Sequence, residues 1–174
     1  MIITIEEYRS LDSRYAEMTD DDCIEQIKAI ESLIRDYTHN NFQNRKVRFR
    51  ADISGGAIAA SCSYLKAGDN VQISESMNDG TYTVASSGDT ITLMEDVYDE
   101  KDNLITKVEY PAAVRAGVKA LLSWKATGGE KVGIKQESIS RHSVTYYDQD
   151  VNNTVMGYPV ALMAFLEPYF RARF

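Results

Sequence analysis

Apolar residues along this chain keep two different spacings, and the switch between them divides it. Cys23, Ile27, Ile30, Ile34 and Tyr37 recur at steps of 4, 3, 4 and 3. That is one face of an amphipathic helix, with Ile24 and Leu33 widening the stripe. Thr19 and Asp22 precede it at capping-box spacing, and the acidic first turn suits the helix dipole. Thr4 and Glu7 repeat the same spacing in TIEEYRSLDS and predict a short first helix. From Val47 the period falls to two. VRFRADI alternates, as do Val71 with Ile73, Tyr82 with Val84, Ile91 with Leu93, and Leu104, Thr106, Val108 and Tyr110. KAGDN, MNDG, SSGD and DEKDN punctuate these runs, which predict about five short antiparallel strands in a small barrel or sandwich. SGGAIAASCS reads as a connection with little pattern.

Helical spacing returns after Pro111, with Val114, Val118, Leu121 and Leu122 on one stripe and Gly128–Gly129 as its stop. A polar hairpin is predicted from Gln136–Ile139 and Ser143–Tyr147, then a loop DQDVNNTVMG. Pro159 opens a last helix, PVALMAFLE, which Pro168 ends. The predicted fold is therefore α+β. A mainly α-helical core of about four helices plus a short hairpin (residues 1–46 and 109–174) is interrupted by an inserted small antiparallel β barrel or sandwich (47–108).

The 174 residues and 44% hydrophobic content suffice for a buried core without staples. Cys23 sits in a helical stripe and Cys62 in a small-residue stretch, so no disulfide is expected and the chain suits a reducing cytoplasm. The start MIITIEEYRS has no basic leader and no apolar core, so no signal peptide is expected. No apolar run reaches the length of a membrane span. A formal charge of −7 argues against a dedicated nucleic-acid binder. Basic residues nonetheless cluster in RKVRFR: Arg45, Lys46, Arg48 and Arg50. This reads as an exposed strand with a basic outer face, or as a contact for an acidic partner or for passing DNA.

Candidate chemistry is sparse. His39 and His142 are the only histidines and no Cys pair stands at zinc spacing. Asp148, Asp150 and Asn152 have calcium-loop spacing, but Asn153 replaces the glycine and Pro159 the bidentate glutamate. Ser138, Ser140 and Ser143 flank His142 without a third group, and neither a nucleophile elbow nor a phosphate loop is present. No catalytic constellation, metal or cofactor site is expected, which points away from an enzyme and towards a structural or interaction protein. The end of the chain is unusual in another way. Tyr169, Phe170 and Phe174 stand beside Arg171 and Arg173, residue types favoured at interface hot spots. This tail either folds back on its own core or inserts into a partner. A different class of function is also open: a small β-barrel ligand- or carbohydrate-binding module on a helical stalk, with an aromatic groove from Tyr64, Tyr82 and Tyr98.

The order of parts resembles the head–tail connector (adaptor, or head-completion) proteins of tailed bacteriophages. MIITIEEYRSL resembles that family's start, and DDDCIEQIKAIESLIRDYTHNNF its long second helix. YPAAVRAGVKALLSWKA is similar to its third helix, GIKQESISRHSVTYYD to its hairpin, and MAFLEPYFR to its closing helix. The resemblance covers about residues 1–46 and 109–174. GDNVQISESMNDGTYTVASSGDTITLMED instead resembles a small β module seen in various phage proteins. What this implies is a non-enzymatic virion protein of the neck, present in the host cytoplasm during assembly. It would form a homo-oligomeric ring, typically of twelve subunits, between the portal protein and the tail-side neck (stopper) protein. DNA would pass through the ring without specific binding, and the acidic charge suits such a channel. The resemblance assigns Tyr169, Phe170, Arg171, Arg173 and Phe174 to the portal contact. It assigns Ile139, Arg141, Val144 and Tyr146 to a hairpin that works between subunits.

Overall fold

The computed structural model describes residues 1–128, 136–139, 142–145, 154–155 and 157–172. The chain divides into two compact units, Met1–Thr4 with His39–Tyr110, and Ile5–Thr38 with Pro111–Phe174.

The first unit is a closed six-stranded antiparallel barrel. Its strands are β1 (Gln43–Ser54), β2 (Ala57–Ile58), β3 (Asn70–Ser74), β4 (Gly80–Ser87), β5 (Ile91–Leu93) and β6 (Glu100–Val108), and their order around the barrel is β1-β2-β5-β4-β3-β6. Closure leaves no open edge, so every strand finds its backbone partners within the barrel. Twelve-residue β1 makes closure possible by changing partners along its length. Gln43 to Ile53 pair with β6, whereas Ile53 and Ser54 pair with β2. The turn between β1 and β2 is Gly55–Gly56, with φ of 58° and 75°. Positive φ at both central residues is the hairpin geometry whose twist matches the strands, and glycine adopts it without strain. SGGA is thus a tight turn, and its Gly-Gly pair was the signal for it.

The barrel interior is β-branched and apolar: Ile53, Ile58, Val71, Ile73, Val84, Ile91 and Ile105 are buried together with Leu65. Phe49 and Tyr82 pack on this cluster. On β6 the inward residue is Ile105, opposite Phe49 of β1 and Ile73 of β3. The alternation Leu104, Thr106, Val108 therefore runs on the other phase, one residue out of step with the barrel core. The N-terminus joins this unit, where Ile2 and Ile3 are fully buried and the Met1 amino group donates to the Gly68 carbonyl.

The second unit contains α1 (Ile5–Arg9), a 3-10 turn at Ser13–Tyr15, α2 (Asp20–Thr38) and α3 (Ala112–Gly128). Its further elements are β7 (Gln136–Ile139), β8 (His142–Thr145), β9 (Thr154–Val155), β10 (Tyr158–Pro159), α4 (Val160–Met163) and a 3-10 stretch, Ala164–Tyr169. Thr19 caps α2: its Oγ1 accepts from the Asp22 N–H at 3.2 Å and donates to Asp22 Oδ2 at 2.7 Å. Cys23, Ile27, Ile30 and Ile34 of α2 are buried, as are Val114, Val118, Leu121 and Leu122 of α3. An aromatic group completes the packing. Tyr8 stacks on Tyr15 with centroids 4.6 Å apart, Tyr15 Oη donates to the Leu122 carbonyl at 3.2 Å, and Trp124 lies 5.8 Å from Tyr158. Burial pushes the Tyr8, Tyr15 and Tyr158 phenols above their ordinary value.

The expectation of a mainly α-helical fold with about four helices is corrected. The organising element is the closed barrel, and only α2 and α3, of 19 and 17 residues, are long helices among the described residues. α1 has 5 residues and α4 has 4. The predicted last helix fails for identifiable reasons. Pro159 is held extended in β10, with ψ of 134°, so the helix cannot begin before Val160. Pro168 then lies inside the run that follows, which tightens to 3-10 form, and the chain is extended again by Phe170, with ψ of 137°.

Candidate assembly surfaces

The end of the described chain is anchored. The Arg171 N–H donates to the Thr38 carbonyl at 2.9 Å, and Phe170 meets Tyr37 edge-on at 4.9 Å. Both partners lie in the last turn of α2, whose final carbonyls have no intrahelical donor. The tail supplies one. Phe170 still leaves 44% of its surface exposed, and Arg171 is exposed beside it. Tyr169 is half-buried. Of the residues assigned to a partner contact, Tyr169, Phe170 and Arg171 thus come together at the C-terminal end of α2, while Arg173 and Phe174 lie outside the described residues. The order of Phe170 and Arg171 comes from α2 of the same chain and requires no partner.

β7 and β8 form a two-stranded antiparallel sheet with Glu137 opposite Val144 and Ile139 opposite His142. Among the described residues neither strand pairs with any other strand. Ile139 and Val144 lie on these strands, and Arg141 and Tyr146 lie outside the described residues, as do residues 148–153 of the calcium-like spacing.

Between α1 and α3 the helical unit holds a charged cleft of about 240 Å³ lined by Glu7, Ala112, Arg115, Ala116 and Lys119. Glu7 accepts from Lys119 Nζ at 2.8 Å and from Arg115 Nη2 at 3.1 Å. The cleft is an ion-pair network joining α1 to α3 across more than a hundred residues of sequence. Its cations are already paired with Glu7, which makes it a brace between helices.

On the barrel, the basic strand is exposed. β1 and β6 slip register between Asn44 and Arg48: Asn44 faces Lys107 and Arg48 faces Thr106, so Arg45, Lys46 and Val47 bulge out of the ladder. Asn44 Oδ1 accepts from the Lys46 N–H at 3.0 Å and fixes the bend. Among the described residues Arg48 bonds neutral groups, Thr106 Oγ1 at 2.9 Å and Gln43 Oε1 at 3.0 Å. Arg50 differs. Its guanidinium donates to Glu75 Oε2, to Asp102 Oδ2 at 3.0 Å and to the Asp102 carbonyl at 2.9 Å. Glu75 first and Asp102 second hold its pKa above the ordinary value.

The three tyrosines of the aromatic-groove reading are not gathered. The Tyr64 carbonyl accepts from Lys107 Nζ at 2.9 Å, near the start of β3, whereas Tyr98 is bonded through its backbone to Asn78, past the end of β3. Tyr82 lies between them on β4, opposite Val71, and packs on the core. Among the described residues no group of three or more His, Cys, Asp or Glu side chains could hold a metal ion. No described helix is long and apolar enough to cross a membrane. The chain matches no protein-family model and no curated protein sequence. Sequence reasoning missed two features: the bulge that turns Arg45 and Lys46 outward, and the hold of α2 on Phe170. Both depend on pairing between residues far apart in sequence.

Proposed function

We propose that this chain is a structural protein of a tailed-phage neck, forming a ring that joins the portal of the DNA-filled head to the tail-side neck proteins. The observation that carries this reading is the β7–β8 hairpin, whose two edges pair with no described strand. A two-stranded hairpin is marginal by itself and gains stability by adding to a neighbour's sheet edge. Repeated around a ring, that addition would let one polar hairpin link each subunit to the next. The exposed ring of Phe170 and the Arg171 side chain supply a second surface, of the composition found at interface hot spots, for the portal. The resemblance of the helices and hairpin to connector proteins supports the same reading. A ring that leaves a DNA channel needs no catalytic group and gains from a negative net charge.

The test adds purified portal rings to the full chain and images the mixture by negative stain. The reading expects a second layer of density on one face of the portal. A chain that remains unbound at saturating portal would overturn it. Replacing Ile139 and Val144 by Ser is expected to thin that layer without unfolding the chain.

A further inference from the structure

The barrel carries opposite charge at its two ends. β1 and β3 run parallel to each other, both antiparallel to β6, so Gln43, Asn70 and Val108 share one end. At that end the bulge presents Arg45 and Lys46, with Arg48 beside it, all exposed; carboxylates lie there too, Asp69 paired with Lys107 and Glu109 accepting from Asn44 Nδ2. None of Arg45, Lys46 and Arg48 has an acidic partner among the described residues. The other end is built from the β3–β4 and β5–β6 loops and contains Glu75, Asp79, Asp96, Asp99, Glu100 and Asp102. Arg50 and Lys101 are the cations there.

The acidic end also carries two exposed apolar side chains, and they are rigidly placed; Tyr64, 72% exposed, lies at the basic end. Met77 is 78% exposed and Tyr98 71%. The loop beneath Met77 is tied down: Glu100 Oε2 accepts from the Met77 N–H and from Ser76 Oγ, both at 2.6 Å. Buried Asn78 holds the loop beneath Tyr98 in a reciprocal pair. Its Nδ2 donates to the Tyr98 carbonyl at 2.9 Å and its Oδ1 accepts from the Tyr98 N–H at 2.8 Å. Two loops are thus locked together while their large apolar side chains point into solvent. Ordered side chains of this kind lose little entropy on docking.

We infer that the acidic end of one barrel, centred on Met77 and Tyr98, docks the basic bulge of a second copy of this chain. Charge complementarity selects that occupant. The bulge and the adjoining Arg48 bring three cations with no acidic partner among the described residues, and the other end of the same barrel brings carboxylates in excess together with an aromatic face suited to Arg or Lys. Because the two surfaces differ, the contact is head-to-tail, and such a contact propagates until rotation closes it into a ring. The inference deepens the ring reading by adding a second link between subunits, made by the barrels. Phosphate binding by the bulge is the competing outcome. Phe42 and Phe49, the aromatic residues flanking Arg45 and Lys46, are turned inward, Phe42 buried and Phe49 packed on the core, which disfavours base stacking there.

The experiment measures self-association of the free full chain by sedimentation velocity at low and high salt, so it reads independently of portal binding. The wild type is expected to associate weakly, with affinity falling at least roughly tenfold between low and high salt. The variant Arg45→Glu/Lys46→Glu and the variant Asp96→Lys/Asp99→Lys should each be monomeric. Mixing the two variants should restore association, because each reversed surface then meets its complement. Failure of the mixture to associate, or a wild type that stays monomeric at low salt, overturns the inference. Binding of a fluorescent DNA duplex that Arg45→Glu/Lys46→Glu abolishes, by a chain that never self-associates, overturns it in favour of phosphate. If the portal test fails while the mixture associates, the docking surface stands without the neck.

Discussion

The barrel and the helical unit solve the problem of backbone hydrogen bonding in opposite ways. The barrel closes on itself, and a single run of chain, His39–Tyr110 with four N-terminal residues, supplies its whole core. Its interior is mostly Ile and Val, β-branched residues that fit a pleated surface. The helical unit is assembled from two runs of chain separated by the barrel sequence. Side-chain contacts hold it together: the stripes of α2 and α3, the tyrosine stack, and the ion pairs of Glu7. It keeps features that the barrel does not, namely a hairpin whose edges meet no described strand and the aromatic tail on α2. Closure leaves a barrel only its side chains for recognition, whereas an open unit offers backbone as well.

The largest way to break this comparison is to remove part of the barrel core. Ile105→Ala is expected to cost about 2–5 kcal/mol, because three strands bury that side chain and the site cannot collapse freely. Scanning calorimetry should show the barrel transition move down while the helical signal at 222 nm keeps its own midpoint. A single transition that moves as a whole would show that the two units unfold as one.

Gly117→Ala should destabilise the other unit. A Cβ at Gly117 would overlap the ring of Phe165, which lies directly on α3. In an open helix position the same change stabilises by up to about 1 kcal/mol. Here overpacking should reverse the sign and cost about 1–3 kcal/mol. Phe165→Leu in the Gly117→Ala background should recover part of the loss, measured by urea melts.

Alkali sharpens the comparison without a mutation. The Tyr8 phenol is raised by burial first and then by its neighbours Tyr15 and Cys23, and Tyr158 is raised by burial and then by Tyr15. A raised phenol stabilises the fold fully below its unfolded value of about 10, and the contribution is lost as pH rises through the folded value. The helical transition should therefore fall above about pH 10. In the barrel unit the Tyr82 phenol is raised, by burial first and then by Glu95 and Asp79, so that unit should also lose stability in strong alkali. Tyr8→Phe should flatten the helical curve.

The smallest effect concerns the tail. Phe170→Ala removes the edge contact with Tyr37 and should cost about 0.5–1.5 kcal/mol. No change in the melt would mean that the ring adds nothing to the free chain.

These elements differ in how legible they were. The stripes of α2 and α3 were plain, because helix contacts repeat within one turn and a sequence window contains them. The inward residues of β3, β4 and β5 could also be read from alternation. β6 could not. LIT offers apolar atoms to both faces, and only its partners Phe49 and Ile73 decide that Ile105 turns inward. The last helix misled because PVALMAFLE has helical composition, while Pro159 is already committed to β10. Of the candidate surfaces, the aromatic–Arg tail was visible as composition, but its hold on Thr38 and Tyr37 was not. The charge polarity of the barrel was invisible, since it requires knowing that residues 45–48 and 75–102 lie at opposite ends of the same strands.

The central claim is that this chain assembles in many copies on a portal. The most direct measurement is the mass of the complex formed when the full chain is added in excess to purified portal rings, read by native mass spectrometry. The account predicts one dominant species in which the portal ring carries a complete second ring, typically of twelve copies of the 19.6 kDa chain. A portal mass that does not change, or that rises by scattered single copies with no preferred number, would contradict it.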